Sequence, residues 1–183
     1  MKTEFSDGRI GIRRYRPEDI PRLFEAVRES VPELSAWLPW CHADYSPNDS
    51  TAFVNSRDAE WEKGEHYSFM TFDLHIGEFL GGVGLNFINR VHNFANLGYW
   101  VRSSRTGRGI ASAATRLIAR FGLEELKFQR LEILTAVDNL ASQRVAEKAG
   151  ATREAVLRKR LFLHDRAHDA VMYSLIGEDL KPL

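Results

Sequence analysis

The hydrophobic positions in the first third of the chain follow two periods, one typical of a strand and one typical of helices. A short strand is predicted near Ile10 to Arg14, and a helix begins at about Pro17, because proline suits the first helical turn. The apolar face of this helix comprises Ile20, Leu23, Phe24 and Val27. After a shorter aromatic stretch from Val31 to Trp40, a second helix ends at Gly64, a residue typical of a helix C-terminus.

The middle of the chain has the alternation of apolar and polar positions that predicts strands. Three strands are expected, at Tyr67 to Asp73, Phe79 to Phe87 and Asn96 to Val101. They follow one another closely, so they form a meander. The glycines within residues 81–84 indicate a bulge in a strand rather than a nucleotide-binding loop, because no helix follows them.

In the second half of the chain, helices alternate with strands. Apolar residues recur at helical spacing from Ile110, a strand follows at Leu131 to Val137, and a further helix runs from about Ala141 to Gly150. This order implies a parallel pair of strands. Two extended segments close the chain, at Glu154 to Leu163 and Ala167 to Leu175. The prediction is a single α/β domain over residues 1–183, with one mixed sheet flanked by helices.

Composition and charge restrict the classes of function. The 25 basic and 25 acidic residues cancel, so the chain as a whole has no electrostatic attraction to nucleic acid or membranes, although a local basic patch is compatible with this balance. The single cysteine, Cys41, lacks the basic partner that a nucleophilic thiol needs. His164 and His168 have a spacing that suits zinc only on a helix, and extended segments flank them, so no metal site is predicted. Without an apolar leader or spanning segment in the sequence, we expect a cytoplasmic protein.

Two polar turns carry the candidate chemistry. The first, Arg105 to Ala111, is glycine-rich and leads from a strand into a helix. Glycines allow the backbone to close around an anion, and a helix N-terminus offers free N–H groups, so this turn is either a phosphate cradle or a tight connection. The second turn contains Asn139 and Ser142 and opens the next helix of the chain. Asparagine is also a common helix cap, which explains Asn139 without catalysis.

Together the two turns resemble those of the GNAT superfamily of acyl-CoA-dependent N-acetyltransferases, in particular the RimJ/RimL type that acetylates protein N-termini. Further segments share the resemblance, namely Ile12 to Asp19, Trp37 to Trp40, Leu97 to Trp100 and Val171 to Leu175. It implies a mostly antiparallel sheet with a V-shaped splay between its fourth and fifth strands. It also implies acetyl-CoA as co-substrate, direct attack by the amine in a ternary complex and, as in many related proteins, a homodimer.

The resemblance assigns the cofactor to the splay and to the glycine-rich turn. It implies that the backbone of Tyr99 to Val101 bonds the pantetheine arm and that Gly107 to Ala111 hold the pyrophosphate. Arginines within residues 102–108 either add charge for the phosphates or form a solvated rim. Thr106 stands where the family has Gln or Arg, and the preceding arginine is the expected substitute. The implied cofactor-binding residues are Tyr99, Trp100, Val101, Arg102, Arg105, Thr106, Gly107, Arg108, Gly109, Ile110, Ala111, Asn139 and Ser142.

The resemblance also suggests catalytic groups. Ser142 matches a serine near the thioester sulfur, where its hydroxyl can protonate the departing thiolate. The amine must lose a proton before it attacks, but Asn96 stands where related enzymes often have a carboxylate, and an amide cannot act as a base. Glu65 and His66 are either the alternative bases or exposed loop residues. An α-amine, with a pKa of about 8, is already partly deprotonated near neutral pH.

Acceptor selection is expected from the aromatic stretch of the first half. Trp37, Trp40 and Tyr45 either line the acceptor groove or pack in the core. The resemblance implies that the acceptor is the N-terminal α-amine of a protein, such as a ribosomal protein. Two alternatives stay open: an acetyltransferase for a small-molecule amine (antibiotic, polyamine or amino acid), and a non-catalytic acyl-CoA sensor, which Asn96 favours.

Overall fold

An eight-stranded sheet carries the helices in the computed structural model, which describes residues 2–180. The strands are β1 (Glu4–Ser6), β2 (Ile10–Arg14), β3 (Tyr67–Asp73), β4 (Phe79–Asn89), β5 (Phe94–Val101), β6 (Arg130–Ala136), β7 (Thr152–Leu163) and β8 (Arg166–Leu175). The helices are α1 (Ile20–Leu34), α2 (Pro47–Lys63), α3 (Ile110–Arg120) and α4 (Leu140–Ala149). The strand order is β1-β2-β3-β4-β5-β6-β8-β7, which confirms the predicted mixed sheet. No helix within residues 2–180 is long and apolar enough to cross a membrane.

The start of the first helix differs from the sequence prediction. Pro17–Asp19 form a separate 3-10 turn, and α1 begins only at Ile20. The carboxylate of Asp19 is buried, where it accepts hydrogen bonds from the Arg16 N–H at 2.8 Å and from the Arg13 guanidinium at 2.7 Å. These bonds fix the turn, because breaking them would leave a buried charge without a partner.

Three other boundaries also differ. The strand β1 was not predicted, because Glu4–Ser6 is too short to show a period and buries only Phe5 among its three residues. The strand β5 begins at Phe94, two residues before the predicted Asn96. The helix α1 continues through Pro32, so the first residues of the predicted aromatic stretch are its last turn.

The sheet opens between β5 and β6, the fourth and fifth strands of the prediction, which lacked β1. Their parallel pairing covers only Phe94–Asn96 and Arg130–Glu132, and beyond it each strand pairs with its other neighbour alone. The predicted V-shaped splay is therefore confirmed.

The N–H and C=O groups of β5 and β6 alternate in direction along each strand, and this alternation identifies the backbone groups that border the gap. The Arg102 N–H donates to the Leu80 carbonyl of β4 at 2.9 Å, and the Val137 N–H donates to the Asp169 carbonyl beside β6 at 3.1 Å. In antiparallel pairs, successive residues point their N–H and C=O groups to opposite sides of the strand. The residues whose backbone groups consequently point into the gap are Leu97, Tyr99 and Val101 on β5 and Leu134 and Ala136 on β6.

Two hydrophobic clusters hold the helices against opposite faces of the sheet. One contains α3 residues such as Leu117 together with Leu97 and Tyr99 of β5. The other contains α1 residues such as Val27 together with Trp100. Because side chains alternate along a strand, Asn96 and Gly98 lie on the α1 face with Trp100.

The hairpin of β7 and β8 reaches across to the connection between α1 and α2. Its two-residue turn has positive φ at both His164 (49°) and Asp165 (58°), as a tight hairpin turn requires. At this tip, Nε2 of His164 lies 3.3 Å from the Ala36 carbonyl oxygen. His168 lies in β8, so the two histidines are on a hairpin, as expected. Within residues 2–180, no three His, Cys, Asp or Glu side chains are grouped as a metal site requires.

Candidate active site

The glycine-rich turn forms an open cradle at the start of α3. Gly107 and Gly109 have φ of 74° and 73°, which strongly favour glycine, and a Cβ added to Gly107 would meet nothing within 4 Å. The first bond of the helix runs from the Ala113 N–H to the Gly109 carbonyl at 3.0 Å. The amides of Ile110 and Ala111 precede that bond and so are among the helix donors that an anion can use.

Two of the three predicted arginines are held in ion pairs rather than in the cradle. Nε of Arg102 lies 3.1 Å from a carboxylate oxygen of Glu29, and Nε of Arg105 lies 2.9 Å from one of Glu78. Hydrogen bonding to Arg102 lowers the pKa of Glu29 to about 2. These pairs tie the turn to α1 and to the loop before β4. Arg108 has no ion pair within residues 2–180 and is the one of the three whose exposed side chain is available to a phosphate.

Thr106 follows the same pattern of internal bonding. Its hydroxyl donates to the Ser103 carbonyl at 3.0 Å and so closes the short 3-10 turn before the cradle. The departure from the family's Gln or Arg thus gives a residue that stabilises the loop. The backbone cradle does not depend on it.

Across the gap, β5 and the first turn of α4 meet through two hydroxyl groups. The Tyr99 hydroxyl donates to the Ser142 carbonyl at 2.9 Å and lies 3.0 Å from Ser142 Oγ. Burial raises the pKa of Tyr99 to about 12, so this phenol stays protonated near neutral pH. The Ser142 N–H donates to Oδ1 of Asn139 at 3.0 Å, so Asn139 caps α4. The sequence suggested only the backbone of Tyr99, although its alternation with Leu97 already placed the side chain on this face.

The two candidate bases differ in their surroundings. Glu65 is exposed, whereas Nδ1 of His66 lies 3.1 Å from a carboxylate oxygen of Glu60. The other Glu60 oxygen accepts from Arg57 at 2.7 Å, and Arg57 also donates to the Ser68 hydroxyl at 3.1 Å. Burial lowers the pKa of His66, so its imidazole is largely neutral near neutral pH. Sequence reasoning missed Glu60 because only the turn at the end of α2 brings it back to His66.

A row of one serine and two glycines, which we call the trough, crosses the α1 face of the sheet beside this polar cluster. Ser68 of β3 is paired with Gly84 of β4, and Gly84 is paired with Gly98 of β5. A Cβ on Gly98 would meet nothing within 4 Å, so the space above it is open. Two strand spacings, about 10 Å, separate the two ends of this row. The trough thus leads from the cluster around Arg57 to β5, close to the point where the gap begins.

Asn96 and the predicted aromatics differ in their positions relative to the trough. The Asn96 side chain donates to Asn86 at 2.7 Å, which orients its amide toward a neighbouring strand. Trp40 is 44% exposed and its ring lies 5.9 Å from that of Trp100, two residues from Gly98. Tyr45 is buried, with its hydroxyl 2.9 Å from that of Ser50, and so packs in the core. Trp37 is half-buried in the connection between α1 and α2.

The lone thiol takes no part in this arrangement. Cys41 is buried with the α1 residues, and burial raises the pKa of its thiol. A raised pKa makes the reactive thiolate scarce near neutral pH.

Comparison with known proteins identifies the family. The family model described as acetyltransferase (GNAT) domain matches residues 9–152. YdaF of Bacillus subtilis (strain 168), provisionally named a ribosomal N-acetyltransferase, is 29% identical over 172 residues, which cover 93% of this chain and 92% of YdaF. The ribosomal-protein-serine acetyltransferase of Escherichia coli (strain K12) is 27% identical over 154 residues, covering 84% of this chain and 85% of that protein.

A solved structure shares the fold over nearly the same length. RimL, a ribosomal L7/L12 α-N-protein acetyltransferase in complex with coenzyme A, aligns with a TM-score of 0.83 at 24% identity and covers 92% of this chain and 94% of its own. The family match supplies the activity that the shared fold alone does not give. The chain is therefore an N-acetyltransferase of the GNAT family, of the RimJ/RimL type.

Proposed function

We propose that the chain transfers the acetyl group of acetyl-CoA to the N-terminal α-amine of a protein, with both substrates bound together. The observation that supports this most is the arrangement around the gap. An open helix N-terminus lies beyond the end of β5, free backbone groups line the gap, and the Tyr99–Ser142 pair faces it. The relatives named for ribosomal-protein acetylation support the choice of acceptor.

The residues present fit acetyl-CoA. The amides of Ile110 and Ala111, with Arg108 beside them, suit a pyrophosphate, and the free backbone groups of Tyr99 and Val101 suit the amides of a pantetheine arm. When bound, acetyl-CoA supplies an activated thioester carbonyl. A backbone N–H that points into the gap, such as that of Tyr99, stabilises the negative charge that develops on the carbonyl oxygen.

Ser142 donates the proton that the departing thiolate needs. The Ser142 hydroxyl has Tyr99 as neighbour on one side and can turn toward the gap on the other. Tyr99 fixes the first turn of α4 through the Ser142 carbonyl and remains a donor because its pKa is raised. We therefore assign Ser142 as the general acid and Tyr99 as the residue that positions it.

His66 removes the proton from the incoming amine, with a Glu60 carboxylate oxygen 3.1 Å from its Nδ1. The strand register places His66 about two strand spacings, roughly 10 Å, from β5, so proton transfer passes through water in the trough. An α-amine needs little help to lose its proton near neutral pH, so positioning of the amine over Gly98 contributes to the rate together with the base.

The acceptor experiment measures CoA release from acetyl-CoA with peptides bearing free N-termini, polyamines and aminoglycosides. We expect the peptides to be preferred, because relatives that match most of this chain are named for the acetylation of ribosomal proteins. Faster turnover with polyamines or aminoglycosides than with every peptide would contradict the proposal. Binding of acetyl-CoA without turnover of any amine would favour the sensor alternative.

A further inference from the structure

Three consecutive cations on β7 differ from the arginines that the structure pairs with carboxylates. Arg158, Lys159 and Arg160 are exposed and have no ion pair or side-chain hydrogen bond among the described residues. By contrast, eight arginines elsewhere in the chain lie within 4.0 Å of a carboxylate, namely Arg13, Arg14, Arg16, Arg57, Arg102, Arg105, Arg120 and Arg130. In a chain with equal numbers of acidic and basic residues, a run of three unmatched cations is a local positive patch.

The backbone of β7 is shaped around this patch, which we call the cationic bulge. Leu157 pairs with Ala170 and Leu161 pairs with His168, so β7 has two more residues than β8 in this interval. Lys159 has a φ of 51°, and its N–H donates to a side-chain oxygen of Asp169 at 2.8 Å. The bulge is thus bonded to β8 and is not a frayed strand. An open concavity of about 700 Å³ is lined by residues 156–160.

The cationic bulge lies two strands beyond the gap, level with the end of β6. Asp169, which holds Lys159, also accepts a bond from the Val137 N–H at 3.1 Å, directly after the end of β6. Asn139, the N-cap of α4, follows two residues after Val137. The tip of the same hairpin contacts Ala36 in the connection between α1 and α2, which also carries Trp40. The hairpin therefore borders the α1 side of the gap, from which the trough leads to β5.

We propose that the cationic bulge binds acidic side chains of the acceptor protein, a few residues after its N-terminal amine. This inference rests on the proposed function, since it names the substrate class of the same site. Three regular strand spacings, about 14 Å, are the smallest separation of β5 and β7, because the sheet is already open at Gly98, and an extended chain rises about 3.3 Å per residue. An amine over Gly98 therefore brings the acceptor residues from about the fifth onward level with the bulge.

An acidic peptide fits the bulge better than a nucleic acid does. Phosphate backbones are bound through a basic surface that makes many contacts, and the net charge of this chain is zero. Three adjacent cations suit two or three carboxylates instead. Exposed Val156 and Phe162 flank the bulge and offer apolar contact, which a peptide can also use.

The test compares two peptides with the same N-terminal residue, one with Asp and Glu around the fifth position and one with Asn and Gln there. For the native protein we expect kcat/KM to be about tenfold higher for the acidic peptide, mainly through KM, as a few exposed charge pairs provide. The preference should shrink as salt is raised, because exposed charges are screened. In the triple variant Arg158→Gln, Lys159→Gln, Arg160→Gln it should disappear, and with Glu at all three positions it should invert.

The control variant reverses the same number of exposed cations elsewhere, with Arg22→Glu, Lys63→Glu and Lys127→Glu, and should keep the preference. Equal kcat/KM for the two peptides in the native protein, or an unchanged ratio in the Gln variant, would overturn the inference while leaving peptide acetylation intact. If no peptide is acetylated, anisotropy of a labelled acidic peptide decides: binding that the Gln variant loses supports the bulge, and absent binding refutes it. A single-stranded RNA that displaces the peptide at lower concentration would also refute it.

Discussion

The proposed cofactor half and the proposed acceptor half of this site are built in different ways. The cradle, the Asn139 cap and Ser142 each come from a few neighbouring residues, and they work largely through backbone N–H groups at two helix starts. The trough takes Ser68, Gly84 and Gly98 from three strands and a polar cluster from the end of α2. A local motif can change little without losing its shape, whereas a surface assembled from distant positions can change one residue at a time. This difference explains how one fold accommodates many acceptors.

Filling the trough should have the largest effect, because this change should impair use of the acceptor without weakening cofactor binding. We expect Gly98→Phe to lower kcat/KM for peptide acceptors by more than about a hundredfold, because the side chain occupies the space in which the amine is aligned. Acetyl-CoA affinity should change little, since the cradle is untouched. Calorimetric titration of acetyl-CoA and steady-state kinetics measure the two effects. The matched change Gly177→Phe, also open around its Cβ, should leave both unchanged. A parallel loss of cofactor affinity in Gly98→Phe would show that the halves are not separate.

The link across the gap should affect turnover more than binding. We expect Ser142→Ala to lower kcat about tenfold, the modest size reflecting the acidity of the thiol that leaves, with acetyl-CoA affinity within about twofold of the native value. Tyr99→Phe should give a smaller loss of the same kind, because the serine hydroxyl remains. Single-turnover kinetics with rapid quenching measure the chemical step. Full turnover in Ser142→Ala at saturating acetyl-CoA would rule out its role as general acid.

The pH profile should report on the polar end of the trough. Burial is the main cause that lowers the pKa of His66, and Glu60 opposes it. Activity should therefore fall as pH drops through a value below the ordinary 6.5 of histidine, where the imidazole becomes protonated and can no longer accept a proton. In Glu60→Gln this limb should move to lower pH and kcat should fall about fivefold. A limb that does not move, measured as kcat/KM against pH, would remove His66 from the proposal. Glu62→Gln, which removes an exposed charge that does not act on the pKa of His66, is the control and should leave the profile in place.

The smallest effect concerns the arginines near the cradle. We expect Arg108→Ala to weaken acetyl-CoA binding about threefold, as one exposed contact to phosphate provides. Arg105→Ala should have less effect on affinity, because that side chain is engaged with Glu78. Titrations at low and high salt measure both, and the salt dependence should decrease only in Arg108→Ala. Equal losses in the two variants would mean that Arg105 leaves its carboxylate when the cofactor binds.

The sequence was sufficient for the features with local causes. The turn with Gly107 and Gly109, the cap at Asn139 and the end of α2 at Gly64 all follow from preferences within a few residues. The role of Glu60 could not be predicted, since it depends on a turn that brings α2 and β3 together.

The trough was not predictable either, for a different reason. Gly84 and Gly98 are adjacent only through strand register, and a glycine in a strand signals a bulge as readily as a groove. The widened part of β7 also went unpredicted, because its three cations interrupt the alternation from which a strand is read.

The gap between β5 and β6 gives a physical reason why acetyl-CoA should bind before the acceptor protein. A ligand that bonds Leu97, Tyr99 and Val101 on one side and Leu134 on the other acts as the missing strand of the sheet. The two halves of the sheet, which are otherwise joined by only three residue pairs, then form one continuous hydrogen-bonded sheet. We expect amide hydrogen exchange at both edges to slow together when acetyl-CoA is added, as mass action requires for a ligand that binds only the folded chain. The acceptor protein then binds to a sheet that acetyl-CoA has made more rigid, and the protein is least flexible when the acetyl group is transferred.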